Sequence, residues 1–297
     1  MYYSNKLKLT CFGLLILISQ NTLLGQNIIP YGLYFNNWKV VNPASTGLGG
    51  SQNFDIAYRT NNTKVNGHPS NVLLSYEGQL SRYHSGLGII FENQQIGGIT
   101  RVFGKALYNY QIQLNGGNKI SIGAGFGMLS ETFDYNSIRL LNPNDVVLNT
   151  HPAPNKVFDL DLGMTFKSEN IQGGIAIKNL IPSKSKRSEV LGARTVQLVT
   201  AYVEYKIEFD KFRFIPSICS YTDYEHVIFD INPTLEFMKR ILIGGTLRLS
   251  DDDSLVNVNA GIYLNENIRL TGIVYSSGYE GAGNNFEFSL GIRIDQE

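Results

Sequence analysis

Val157-Phe158-Asp159-Leu160-Asp161-Leu162-Gly163-Met164-Thr165-Phe166 alternates apolar with polar or small residues from Phe158 onward. Phe158, Leu160, Leu162, Met164 and Phe166 fall on one face, and Asp159, Asp161, Gly163 and Thr165 on the other. A period of two belongs to a β-strand with two unlike surroundings. The same pattern recurs in Ile120 to Met128, Val256 to Leu264 and Phe286 to Ile294. A soluble sandwich turns such an apolar face inward, whereas a membrane barrel turns it toward lipid and keeps the polar face for its lumen. Alternation alone does not choose between the two.

Outward from this stretch, strand-like runs fill the chain from Ser51 to its end. They lie at 51–60, 71–80, 85–95, 99–114, 119–134, 157–168 and 171–180, then at 195–209, 212–223, 227–238, 241–250, 254–265, 268–278 and 284–295. That makes about fourteen, an even number as in single-chain bacterial barrels. Their lengths lie near the ~9–11 residues that a tilted strand needs to cross a bilayer. Connections separate barrel from sandwich. One set, 81–84, 115–118, 169–170, 210–211, 239–240 and 266–267, is uniformly tight, while the other includes 61–70, 135–156 and 181–194. Tight turns on the periplasmic side and longer loops outside are the habit of outer-membrane barrels. The expected fold is all-β: a transmembrane antiparallel barrel of about fourteen strands over 51–297, integral in the outer membrane, with both chain ends in the periplasm.

Composition agrees. Charged residues make up 17% of the 297, below the usual ~25%, beside 30 Gly, 17 Tyr and 16 Phe. Residues 1–25 read as a secretory signal peptide, with Lys6 and Lys8 before the apolar run Leu9 to Ile18 and small Gly25 at the expected cut. Removing it leaves 23 basic against 25 acidic residues, a balance that gives no sign of nucleic-acid binding. It also leaves Cys219 as the one cysteine, expected to be a buried or lipid-facing small apolar residue.

Residues 26–50 are different in kind. They lack clean periodicity and hold Pro30, Pro43 and three Gly after Thr46, which argues against a long helix or strand. Tyr31, Tyr34, Phe35 and Trp38 are too many aromatics for a free arm. The reading is an ordered segment packed on, or plugging, the periplasmic end of the barrel. Its candidate plug or partner-binding residues are Tyr34, Phe35, Trp38, Asn42, Pro43 and Gly47.

The segment Asn42-Pro43-Ala44-Ser45-Thr46-Gly47 also carries a resemblance. It is followed in order by Tyr58-Arg59, Gly86-Leu87-Gly88, Gln95-Ile96-Gly97, Tyr108-Asn109-Tyr110-Gln111-Ile112, Lys119-Ile120-Ser121-Ile122-Gly123 and Lys178-Asn179-Leu180. This order resembles the PorP/SprF family of the type IX secretion and gliding machinery of Bacteroidetes. Trp38-Lys39 stands where that family more usually has aliphatic residues. The resemblance implies a secretion component that couples to periplasmic ring proteins, or a partner for the secretion or surface attachment of one cargo or adhesin. Its partners would be that cargo, periplasmic secretion components and the lipid bilayer, with no nucleic acid.

Nothing in the sequence assembles into catalytic chemistry. The four histidines, His68, His84, His151 and His226, show no metal-ligand spacing, and no nucleophile elbow is present. Asp251-Asp252-Asp253 supplies too few fixed oxygens for the ~6–8 that calcium takes. The expectation is no enzyme, no cofactor and no metal. The competing reading is an outer-membrane channel for small solutes, which needs an open polar lumen.

Overall fold

The computed structural model describes residues 31–134, 155–182, 196–250, 254–275 and 283–295. The expected signal peptide, residues 1–25, lies outside them. So do the first residues of the segment that follows it.

Fifteen strand pieces form one sheet that closes on itself. They are β1 (Gln52–Thr60), β2 (Ser70–Leu80), β3 (Ser85–Ile96), β4 (Ile99–Gln113), β5 (Lys119–Phe133), β6 (Asn155–Lys167), β7 (Ile171–Lys178) and β8 (Leu198–Tyr205). Next come β9 (Ile207–Glu208), β10 (Phe212–Thr222), β11 (Val227–Phe237), β12 (Ile241–Ser250), β13 (Ser254–Tyr263), β14 (Ile268–Tyr275) and β15 (Asn285–Ile294). Each pairs antiparallel with its neighbour, β15 returns to β1, and β8 and β9 both pair with β10. β8 and β9 are thus one interrupted stave, and the barrel has fourteen, the number expected. Closure leaves no free strand edge, so wall N–H and C=O groups pair along the ladders, except at one interruption, in a medium with no water to bond them.

The interruption has a cause on the neighbouring strand. Pairing runs from Ser217↔Glu204 on one side to Phe214↔Ile207 on the other, and lapses across Pro216. Pro216 stands opposite Pro233. The ladder from β11 to β12 likewise skips from Ile231↔Leu247 to Thr234↔Gly244, across Pro233. Each proline lacks the N–H that would reach the strand behind it, so the two ladders flanking the β10–β11 hairpin are both broken at one height.

The wall is inverted relative to a soluble protein. On β6, Phe158 is 78% exposed while Asp161 is 2% exposed, and on β13 Val258 is 61% exposed beside Asn259 at 1%. Large apolar side chains cover the outside, and carboxylates, amides and hydroxyls are enclosed. Tyr110, Phe166, Tyr205, Phe209, Phe212 and Phe237 stand outward near the tight-turn end, as an interfacial aromatic girdle does. At that end no connection exceeds five residues, the longest being 114–118. The opposite end carries the longer ones, including 61–69, 134–154 and 179–197, the last two mostly outside the described residues.

The outward wall is directly testable. Leu162 is outward and mid-strand, so Leu162→Arg is expected to cost roughly 2–4 kcal/mol in stability, the cost of a cation near the bilayer midplane. Heat-modifiable gel migration across a urea series measures it. An unchanged midpoint would refute the assigned face.

Candidate functional site

Residues 31–50 run inside the barrel. They form three short 3₁₀ turns, Tyr34–Asn36, Trp38–Val40 and Pro43–Ser45. The lumen has no free sheet edge, so the segment satisfies its own backbone locally through bonds such as Asn37 N to Tyr34 O (2.7 Å) and Val41 N to Trp38 O (3.0 Å). Pro43 starts the third turn, where its fixed φ fits and its missing N–H costs nothing. Asn42 before it is extended, as a residue preceding proline prefers, and its Oδ1 caps the turn by accepting from Ala44 N at 2.9 Å.

Side chains and backbone of the segment reach around the ring. Gly32 N and Leu33 N donate to the Glu287 carboxylate on β15 at 2.9 and 3.1 Å. The Trp38 ring stacks on Tyr202 of β8 with centroids 4.1 Å apart, and its Nε1 donates to Glu204 at 2.9 Å. Tyr34, 2% exposed, meets Tyr221 of β10 edge-on and packs beside Cys219. Lys39 Nζ lies 2.9 Å from Asp55 on β1 and 3.6 Å from Glu77 on β2. Lys178 Nζ of β7 donates to Val40 O at 2.9 Å. Asn109 of β4 donates through its Nδ2 to Ala44 O (2.8 Å) and Thr46 O (2.6 Å). A single segment touches strands on opposite sides of the ring only from within, so it is a plug. It reaches beyond the tight-turn mouth, for Tyr31 packs with Ala57, Leu73, Ile90 and Leu107, all well inside their strands.

One wall is shaped to receive it. A Cβ on Gly123 would lie 2.6 Å from the Ala44 Cα, and one on Gly174 2.7 Å from the Asn42 Nδ2. At Gly86 and Gly163 it would collide with Thr46 O and Asn42 Oδ1. These four glycines on β3, β5, β6 and β7 let the Asn-Pro-Ala-Ser-Thr backbone lie on the sheet itself. Asn42 Nδ2 then reaches Met164 O (3.0 Å), Thr165 Oγ1 (3.1 Å) and Ile175 O (3.2 Å). Gly47 turns the chain out with φ +65°, and its N donates to Glu77 at 2.7 Å. Gly123→Val should therefore leave the ladder intact but unseat Ala44, with a loss of about 1–3 kcal/mol for overpacking. Protease accessibility of the segment in folded barrels reports it; a segment as protected as in the parent would contradict the fit.

Of the residues singled out in the sequence, Tyr34, Phe35 and Trp38 come together against Tyr202 and Tyr221, Asn42 and Pro43 lie on the glycine wall, and Gly47 lies against Gly78 of β2. The wall partners of the segment were not foreseen: Glu287, Asp55, Glu204 and Asn109, which bond Gly32 and Leu33, Lys39, Trp38, and Ala44 and Thr46, are scattered over four strands. The one available signal was a carboxylate or amide on the polar face of an alternating run, and that signal is shared by every lumen position. Deeper in the lumen, Lys105 lies between Asp159, at 2.6 Å, and Asp161. Arg248 holds Asp230 through two bonds of 2.7 Å. Between plug and wall, on the tight-turn side, a cavity of about 300 Å³ is lined by Phe35, Trp38, Lys167, Glu204, Arg213 and Arg269 among others.

The family model for the type IX secretion system membrane protein PorP/SprF matches residues 23–292. The chain belongs to the PorP/SprF family. No curated protein matches it. Among solved structures it is similar to the outer membrane protein Omp33 of Acinetobacter baumannii (8% identity, TM-score 0.50, 83% of this chain and 100% of that one). It is also similar to the Ralstonia pickettii toluene transporter TbuX (9%, TM-score 0.55, 87% and 93%). A deletion mutant of the monoaromatic hydrocarbon channel TodX gives 9%, TM-score 0.51, and 88% and 94%. At such identities the likeness shows the barrel alone. The PorP/SprF assignment and the outer-membrane-type fold are those expected from the sequence.

Proposed function

We propose that this PorP/SprF-family barrel works in the outer membrane as a closed docking component of type IX secretion. In this reading its tight-turn end faces the periplasm. It couples there to periplasmic components of the machinery, or serves as the partner of one secreted cargo or adhesin. The observation that carries the reading is the plug: the chain's own residues 31–50 occupy the lumen and are bonded to both sides of it. A barrel filled in this way offers surfaces rather than a path.

The test is a deletion strain in the native host. Loss of secretion or surface display of a large protein that co-purifies with the barrel supports the reading. Normal secretion with a lost uptake of small solutes would replace it with the channel reading.

A further inference from the structure

Three lysines share one sector of the tight-turn mouth. Lys119 opens β5, Lys167 ends β6 and Lys206 follows β8. Each sits in step with buried lumen positions of its strand: Ser121 for Lys119, Thr165 for Lys167 and Glu204 for Lys206. All three therefore project inward. Lys119 and Lys167 are direct partners in the β5–β6 register. Lys206 and Lys119 both act on Lys167 as like charges.

Glu204 and Glu77 act on Lys167 as opposite charges, but neither forms an ion pair with it among the described residues. Glu204 stands 3.7 Å from Lys206 through Oε1, while its Oε2 accepts from Trp38. Lys167 bonds the Leu48 carbonyl at 3.1 Å. Several cations of the mouth are more closely paired: Lys39 with Asp55 at 2.9 Å, Arg213 with Glu208 at 2.5 Å and Arg293 with Asp295 at 2.7 Å. Like charges directly opposite on antiparallel strands destabilise a sheet. Here one member of the pair, Lys167, lines the cavity together with Lys206, Gln172, Trp38 and Leu48.

We propose that this sector binds an acidic peptide segment of a soluble protein on the tight-turn side. Two or more carboxylates would bridge the lysines. The lysines face the lumen, so the lipid headgroups around the barrel do not reach them. Three cations spread over β5, β6 and the end of β8 suit a chain carrying several carboxylates better than a single inorganic anion. The inference deepens the docking role proposed above and rests on it for the partner's location. The binding itself is testable without it.

The experiment uses the full-length protein in nanodiscs and a fluorescent synthetic peptide that alternates Glu with Leu, read by anisotropy at low and high salt. The parent should bind the peptide, more weakly as salt rises. Lys119→Gln/Lys167→Gln/Lys206→Gln should weaken binding by about tenfold or more, whereas Lys64→Gln at the far end should not. The Lys167→Gln variant should also be more stable to heat than the parent, because it removes the like-charge pair. A Lys167→Glu/Lys206→Glu variant should bind the corresponding Lys/Leu peptide, which separates a charge site from a folding defect. Absence of binding by the parent, equal binding by the triple variant, or displacement of the peptide by millimolar phosphate would overturn the proposal.

Discussion

Deleting residues 26–41 should turn a closed barrel into a conducting one. Eight-stranded barrels are filled by their own side chains, while those of 16–18 strands leave an aqueous channel. A fourteen-stave wall stands close to the second case, so its lumen needs a separate filling, and Tyr34, Trp38 and Lys39 supply it. The deletion leaves every strand pairing untouched. It exposes Asp55, Glu204 and Glu287 to water that can then enter, so these carboxylates stay solvated and the wall survives. The expected result is a folded, heat-modifiable band with conductance in planar bilayers raised by roughly an order of magnitude or more. Secretion or display of the partner should be lost with it. Conductance and secretion both equal to the parent's would mean that the segment is ornament.

The second large effect is expected at Arg248. Its guanidinium and the Asp230 carboxylate are held by two bonds of 2.7 Å, with the Asp230 side chain fully enclosed. Arg248→Met would leave that carboxylate without its cation, at a cost of about 3–5 kcal/mol. Adding Asp230→Leu should recover most of the loss, since an apolar pair of similar volume is often neutral or better. Urea midpoints of the two variants decide it; a single variant as stable as the double would show that the ion pair is not what stabilises this wall.

The wall was largely legible in the sequence, because a bilayer outside and a polar lumen inside impose a period of two on every strand. Val157 to Phe166 shows it with Phe158 out and Asp161 in. The contrast between a tight-turn end and a long-loop end was legible from the connections. The seat of the plug was not. Gly163 and Gly174 occupy polar-face positions where glycine reads as mere smallness, and only the Asn42 side-chain amide lying against that wall gives them a purpose. The break at Lys206 was hidden for a similar reason. The run 195–209 is continuous in itself, and the fault comes from Pro216, on a strand that begins at Phe212.

That fault has a mechanical consequence. The β10–β11 hairpin is stitched to the rest of the cylinder by two seams, each missing a stitch at the height of Pro216 and Pro233. Elsewhere among the described residues the ladders run without an internal gap, so this panel is expected to be the more compliant part of the cylinder. The panel also carries Cys219 and Tyr221, which press on Tyr34, and Asp230, which anchors Arg248. Any flexing of the envelope, by stretch of the bilayer or by a load on the loops, will be taken up first at this panel and delivered to the aromatic end of the plug.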